Sequence, residues 1–219
     1  MLYLITTFVV IALEALIVFN WRANAAITTQ VASVIVEPFF VAIVTAFSYA
    51  DVREDLSIGA VWLRVLERSW AVLVIGLLVN LVAALGLESI GVADMLQKLL
   101  GGAVILVAIS LIFADVHAVV IDDAEPWWLL VPRSLGTSIA TAWQGAAFAR
   151  AIILFALQML VPTLLSFFAQ TALEQRHVPQ APFWANALTV VLLLPVVQAL
   201  CTFVYLDLIG YESKHTSSR

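Results

Sequence analysis

Six long apolar segments with very few charges make up most of the chain. They are residues 2–19, 25–50, 70–87, 95–121, 143–173 and 183–209. A helix needs roughly 20 apolar residues to cross the ~30 Å hydrocarbon core of a bilayer, and each segment reaches or approaches that length. The segments are continuous, whereas the strands of a membrane barrel alternate over ~10 residues. The pattern predicts an all-α fold: a polytopic bundle of six spans in a single transmembrane domain (1–210), followed by a polar tail (211–219).

Two of the segments that connect the predicted spans are amphipathic. In residues 57–69, apolar side chains from Ile58 to Leu66 recur at helical spacing behind Ser57, a good N-cap residue. In the connection 122–142, an apolar stripe of Val131, Leu135, Ile139 and Ala142 lies opposite a polar stripe. The polar stripe comprises Arg133, Ser134, Thr137, Ser138 and Thr141. Short amphipathic helices of this kind lie flat in the membrane interface. We therefore expect two short interfacial helices on the cytoplasmic side.

Composition supports the membrane assignment and narrows the choice of partners. Hydrophobic residues make up 63% and charged residues 11% of the chain, against roughly 45–50% and about 25% in soluble domains. The net charge of −5 argues against nucleic acid as a partner, because nucleic acid requires a basic face. The expected partners are membrane lipids, other membrane proteins or a second copy, met through small-residue faces such as Ala42, Ala46 and Ala50.

Basic residues predict the orientation in the membrane, since they are enriched on the cytoplasmic side. With six spans, the side that holds both termini carries Arg53, Arg64, Arg68, Arg133, Lys214 and Arg219. The opposite side carries Arg22, Lys98 and Arg176. The first segment begins at residue 2 without a basic leader, and we expect it to be a retained span. We therefore predict a multi-pass protein of a bacterial cytoplasmic (inner) membrane with both termini in the cytoplasm.

Three stretches carry a resemblance to a known class of proteins. They are YADVR at 49–53, Glu125-Pro126 leading into Arg133-Ser134, and TFVYLDL at 202–208. Together they resemble an uncharacterised class of six-span bacterial inner-membrane proteins, related to the membrane domain of glycerophosphodiester phosphodiesterases. The resemblance implies six spans with short interfacial helices on the cytoplasmic side. It implies a role as membrane anchor, scaffold or transporter-like body, and it supplies no catalytic residues.

Four ionisable side chains fall inside the predicted spans. They are Glu14, Glu37, Asp115 and Arg150. A charge is costly in hydrocarbon, so each requires either a partner or a function. We expect Asp115 to reach water at the end of its span and the long stem of Arg150 to snorkel. Glu14 and Glu37 lie deeper, where pairing or protonation is favoured. Two interpretations stay open: a structural pair with Arg150, or a proton or cation path through Glu14, Glu37 and Arg150.

Three spans contain an internal proline, which removes a backbone hydrogen bond and can kink a helix. These residues are Pro38, Pro162 and Pro195. Interrupted spans with nearby polar residues are the best sequence pointer to a transporter site. The candidate intramembrane polar site therefore consists of Glu14, Glu37, Arg150 and Gln158. Transport would require a polar cavity near the midplane, lined by Glu37 and Gln158.

Signals for catalysis are weak throughout the chain. No GxSxG serine motif, HExxH zinc helix or P-loop occurs. The acidic turn at residues 122–125 is explained by solvation, and the single Cys201 is expected to be a core residue. We predict no enzyme, no cofactor and no metal site. The leading functional prediction is a non-enzymatic scaffold or membrane-domain partner. The alternative is a small transporter or permease component with a midplane polar site at the proline-containing helices.

Overall fold

The structure is a computed structural model, and it describes part of the chain. The described residues are 25–52, 57–91, 94–121 and 126–210, with side chains from Pro38 onward in the first range and without those of residues 127, 190 and 191. Every element in these ranges is a helix, which confirms the all-α prediction. The predicted span 2–19, which contains Glu14, and the predicted tail 211–219 lie outside the described residues.

Eight helices follow one another along the described chain. They are α1 (Ala25–Val52), α2 (Ile58–Ile90), α3 (Met95–Ser110), α4 (Ala114–Val120), α5 (Trp127–Ala142), α6 (Ala147–Gln175), α7 (Ala181–Leu192) and α8 (Leu194–Leu208). Within the described ranges, four stretches are long and apolar enough to cross a membrane: Ile58–Ile90, Met95–Val120, Ala147–Gln175 and Ala181–Leu208. Such helices are typical of a membrane-embedded protein. The total of six spans stays a prediction.

Helix α2 corrects the first predicted interfacial helix. Ser57 caps it as predicted, since its side chain accepts a hydrogen bond from the Ala60 N–H. The helix does not stop near Ser69, however, but continues to Ile90, so that it is 33 residues long in all. At 1.5 Å per residue it is about 50 Å long. The expected boundary is wrong because no proline or glycine interrupts the helix there, and the first turns bury Val61 and Val65 against the bundle.

Helix α5 lies within the predicted connection, but its serines do not face outward. In an interfacial helix the polar stripe would face water. Here Ser134 and Ser138 are fully buried, whereas Ile139 and Leu129 from the apolar side are exposed. Exposure therefore does not separate the two stripes: α5 directs its serines into the protein, whereas Arg133 of the polar stripe is exposed and Val131 of the apolar stripe is buried. The reason lies in the neighbouring element, which requires hydrogen-bonding partners.

That neighbouring element is the break between α3 and α4, at residues 111–113. The sequence predicts one continuous span, 95–121, but helical geometry stops after Ser110 and resumes at Ala114. The Phe113 N–H donates to Ser138 Oγ at 3.1 Å, and the Ser138 hydroxyl donates to the Ser110 carbonyl at 2.8 Å. Trp143 Nε1 donates to Ser110 Oγ at 2.8 Å. Backbone groups inside a membrane protein require such partners, which explains the inward serines.

Two apolar clusters pack around the hydrogen-bonded break at residues 111–113, which we call the polar joint. One apolar cluster includes Phe113, Leu154 and Tyr205, and a second includes Val72 and Val119. The predicted small-residue face of α1 lies inside the second cluster, where Ala42 and Ala46 are buried. Cys201 is buried within the first cluster, which confirms it as a core residue.

Candidate functional site

A cavity of about 250 Å³ lies between α1, α2, the α3–α4 break, α6 and the junction of α7 with α8. Its walls include the polar residues Asn80, Asp115, Gln158, Thr163, Asn186 and Thr189. The remaining wall is mainly apolar, with Val72, Ile75 and Met159 among its members. The volume exceeds the ~150 Å³ void that accepts benzene. It lies just below the ~300 Å³ at which pockets for drug-sized ligands begin.

The proline-containing helices meet at this cavity. Pro38 and Pro162 both line it, and each lies near the middle of its helix. Leu194, the neighbour of Pro195, lines it as well. The predicted interruption occurs at Pro195, where α7 ends at Leu192 and α8 begins at Leu194. At Pro38 and Pro162 the helix instead continues through the proline.

Gln158 is the member of the candidate polar set that the described residues place in the cavity wall. Its Oε1 atom is buried and meets no hydrogen-bond donor in the part of the chain that the structure describes. Leaving a buried acceptor without a donor costs about 1–3 kcal/mol. Pro162, one helical turn later, has no N–H to donate to the Gln158 carbonyl. This turn of α6 therefore holds one buried side-chain oxygen without a donor and one backbone carbonyl that lacks the usual helical N–H.

Asp115 lies in the opposite wall, where no local signal in the sequence placed it. We expected it to reach water at the end of a straight span, but it follows the α3–α4 break and lines the cavity. Its Oδ1 accepts from the Val116 N–H at 2.9 Å, and its Oδ2 accepts from Gln198 Nε2 at 3.3 Å. Gln198 also donates to Thr45 Oγ1 at 2.8 Å. The hydrogen-bond donors that hold Asp115 are thus neutral.

The two cavity threonines present acceptors rather than donors. Thr163 donates its hydroxyl hydrogen to the Met159 carbonyl at 2.6 Å, and Thr189 donates to the Ala185 carbonyl at 3.0 Å. Each hydroxyl has one hydrogen and two lone pairs. Because the hydrogens are already used within the helices, the lone pairs are what these side chains can offer to a solute.

Arg150 lies away from the cavity and has a partner that the sequence did not indicate. Its Nη1 donates to Asp207 Oδ2 at 2.6 Å, and both side chains are exposed. The pair joins the start of α6 to the end of α8. Of the carboxylates proposed as partners, Glu14 lies outside the described residues, and Glu37 belongs to α1 but its side chain is not described. Their part in a polar site stays a prediction.

Arg64 has a structural position at the end of α4. Its Nη1 donates to the carbonyls of Val119, Val120 and Ile121 at 3.0, 3.0 and 3.3 Å. Its guanidinium also lies 5.1 Å from the ring centroid of Tyr49. A cation at a helix C-terminus satisfies terminal carbonyls and complements the helix dipole. Arg64 therefore fastens α2 to the end of α4.

Within the described ranges, no three His, Cys, Asp or Glu side chains gather as metal ligands would. The resemblance to the six-span inner-membrane class stays a prediction. Comparisons with protein-family models, with curated proteins and with solved structures find no match.

Proposed function

We propose that this chain is a small transporter or permease component that carries a small polar solute through the centre of a six-span bundle. In this proposal it resides in a bacterial cytoplasmic membrane with both termini in the cytoplasm. The observation that carries the proposal is the cavity itself, lined by Asp115 just after the α3–α4 break and by Gln158 near the middle of α6. Polar side chains are expensive at that depth and characteristically mark a solute or ion path.

The position of the cavity supports transport over a scaffold role. It lies where proline-containing helices meet, one of them interrupted beside Pro195, and interrupted helices supply backbone acceptors in transporter sites. The outer faces of α2 and α6, which border the cavity, expose Leu81, Leu160 and Phe167, as expected for contact with lipid. A scaffold needs packed interfaces and gains nothing from an interior space bordered by a buried, unpaired amide oxygen.

Filling the cavity provides a direct test. A Cβ added at Gly76 would contact Pro38 Cγ at 3.4 Å, an ordinary distance, so Gly76→Leu fits at the backbone and places its other carbons in the space that both residues line. Purified protein is reconstituted into liposomes, and the uptake of radiolabelled urea and guanidinium is measured. We expect at least one solute to enter faster than into protein-free liposomes, and Gly76→Leu to remove the difference.

Gly102→Leu is the matched control, because a Cβ at Gly102 meets no atom within 4 Å. It should retain the uptake of the unsubstituted protein. Transport is contradicted if neither solute enters faster than into empty liposomes, or if Gly76→Leu transports as well as Gly102→Leu. Either result would favour the scaffold role.

A further inference from the structure

We infer that the cavity selects a small organic cation, in which an ammonium or guanidinium group meets Asp115 and an apolar body meets the aliphatic wall. This inference rests on the proposed function and specifies its substrate class. Three features of the described wall carry it: the sign of its charge, the direction of its hydrogen bonds and its size.

The charge of the wall is negative. Asp115 is the one ionisable residue among the described residues that line the cavity. Its hydrogen-bond donors, the Val116 N–H and the Gln198 amide, are neutral and leave its charge uncompensated. The exposed Arg150 is already paired with Asp207, and Arg64 is held by three carbonyls. A buried carboxylate requires a compensating cation or a proton. A cationic solute supplies that charge, whereas an anion would be repelled.

The hydrogen bonds of the wall point the same way. Gln158 Oε1 lacks a donor among the described residues. The Gln158 backbone carbonyl lacks its usual helical donor, because residue 162 is a proline and has no N–H. The hydroxyl hydrogens of Thr163 and Thr189 are used by carbonyls of their own helices. The threonine hydroxyls and the Gln158 carbonyl therefore add acceptors to the Asp115 carboxylate, while the side-chain amides of Asn80 and Asn186 also bring donors to the wall. An ammonium group has three donors and a guanidinium group five, and neither has an acceptor that would need satisfying.

The size and remaining lining favour an organic cation over a bare metal ion. About 250 Å³ is far more than a dehydrated ion fills, and it equals roughly eight waters at ~30 Å³ each. Aliphatic side chains, among them Val72, Ile75 and Val79, complete the wall. A solute with a charged head and a short apolar body places each part against matching groups.

Three probes of nearly equal shape test the charge preference: benzylammonium, benzyl alcohol and benzoate. The full chain is placed in zwitterionic nanodiscs, and binding is measured by isothermal titration calorimetry with empty nanodiscs as blank. We expect benzylammonium to bind at least about tenfold more tightly than benzyl alcohol, and benzoate to give no binding, because an unpaired buried charge is costly. Asp115→Asn should lower the ammonium-to-alcohol affinity ratio to about 1.

Asp207→Asn is the control, since it removes a carboxylate that lies outside the cavity and pairs with Arg150. It should leave the ratio unchanged. Benzyl alcohol binding by Asp115→Asn reports that the cavity is still formed. If that variant does not fold, Gln158→Leu replaces it and should weaken benzylammonium more than benzyl alcohol.

The outcomes separate this inference from the proposed function. Equal binding of benzylammonium and benzyl alcohol, tighter binding of benzoate, or no binding of any probe overturns the cation preference, while urea uptake that Gly76→Leu abolishes would still support transport. Sodium chloride that binds alone and displaces benzylammonium would indicate an inorganic-ion site and also overturn it. Selective binding of benzylammonium without uptake of any solute would instead contradict the transport function and support the cation-binding site.

Discussion

Helical hydrogen bonding is interrupted at two places in this protein, and they differ in whether other protein groups satisfy the polar groups left there. At the α3–α4 break, Ser138 accepts from Phe113 and donates to the Ser110 carbonyl. At Pro162, the missing donor is not replaced by a serine, and the neighbouring Gln158 side-chain oxygen has no donor among the described residues. The first interruption is closed by protein groups, and the second faces the cavity. The comparison teaches that an interruption alone does not mark a site. What matters is whether its polar groups are already used.

The largest expected effect on stability comes from removing the Ser138 hydroxyl at the α3–α4 break. Ser138→Ala leaves the Phe113 N–H and the Ser110 carbonyl without the serine partner, so we expect a loss of about 2 kcal/mol in the free energy of unfolding. Denaturation by SDS in mixed micelles measures this change. Ser89→Ala is the control, because Ser89 Oγ donates only to the Leu85 carbonyl of its own helix, and it should change stability little. Equal stability of the two variants would remove the distinction between the interruptions.

A smaller loss of stability is expected when the hydrogen bond from Trp143 to Ser110, beside the α3–α4 break, is removed. Trp143→Phe deletes the 2.8 Å bond from Trp143 Nε1 to Ser110 Oγ but can retain the stacking on Phe148, whose ring centroid lies 4.6 Å away. We expect a loss of about 1 kcal/mol, measured by the same SDS denaturation. A loss larger than that of Ser138→Ala would show that stacking, rather than the polar joint, stabilises this region.

A substitution of Gln158, one turn before Pro162, should instead increase the free energy of unfolding. Gln158→Leu is close in shape and removes a buried oxygen that lacks a donor, so we expect stability to rise by up to about 1 kcal/mol. Uptake of the transported solute should fall to the level of protein-free liposomes. Such a stability–function trade-off is common at functional sites. Gln170→Leu, on the same helix where the amide donates to Glu174, should transport normally. Lower stability in Gln158→Leu would indicate that Gln158 is a structural residue.

The smallest effect is expected at the exposed ion pair. Arg150→Met should cost no more than about 0.5 kcal/mol, because exposed pairs are screened by solvent. It should leave solute uptake and the benzylammonium preference unchanged, as measured in the liposome and calorimetric assays. A loss of uptake would instead support a role of Arg150 in the transport path, as its position inside a predicted span suggests.

The sequence was sufficient for features that depend on neighbouring residues. Helical character, the Ser57 cap and the interruption at Pro195 each follow from a local pattern. The break after Ser110 does not, because it contains no proline or glycine and is completed by Ser138, 28 residues later in the chain. The inward face of α5 is hidden for the same reason.

The candidate site shows the same division between local and distant information. Gln158 stood out as a polar residue one turn before a proline, and it does line the cavity. Asp115, Asn80 and Asn186 reach the same space only because five separate parts of the chain pack together there. Likewise, no local pattern could pair Arg150 with Asp207, which lies 57 residues away.

The continuity of α2 has a mechanical consequence. Arg64 holds its first turns to the end of α4, while Asn80 of the same helix forms part of the cavity wall. The two positions are separated by roughly 24 Å of helix at 1.5 Å per residue. A continuous helix transmits tilt along its whole length. A force applied at the first turns of α2 would therefore act as on a lever, and the width of the cavity beside Asn80 would change with it.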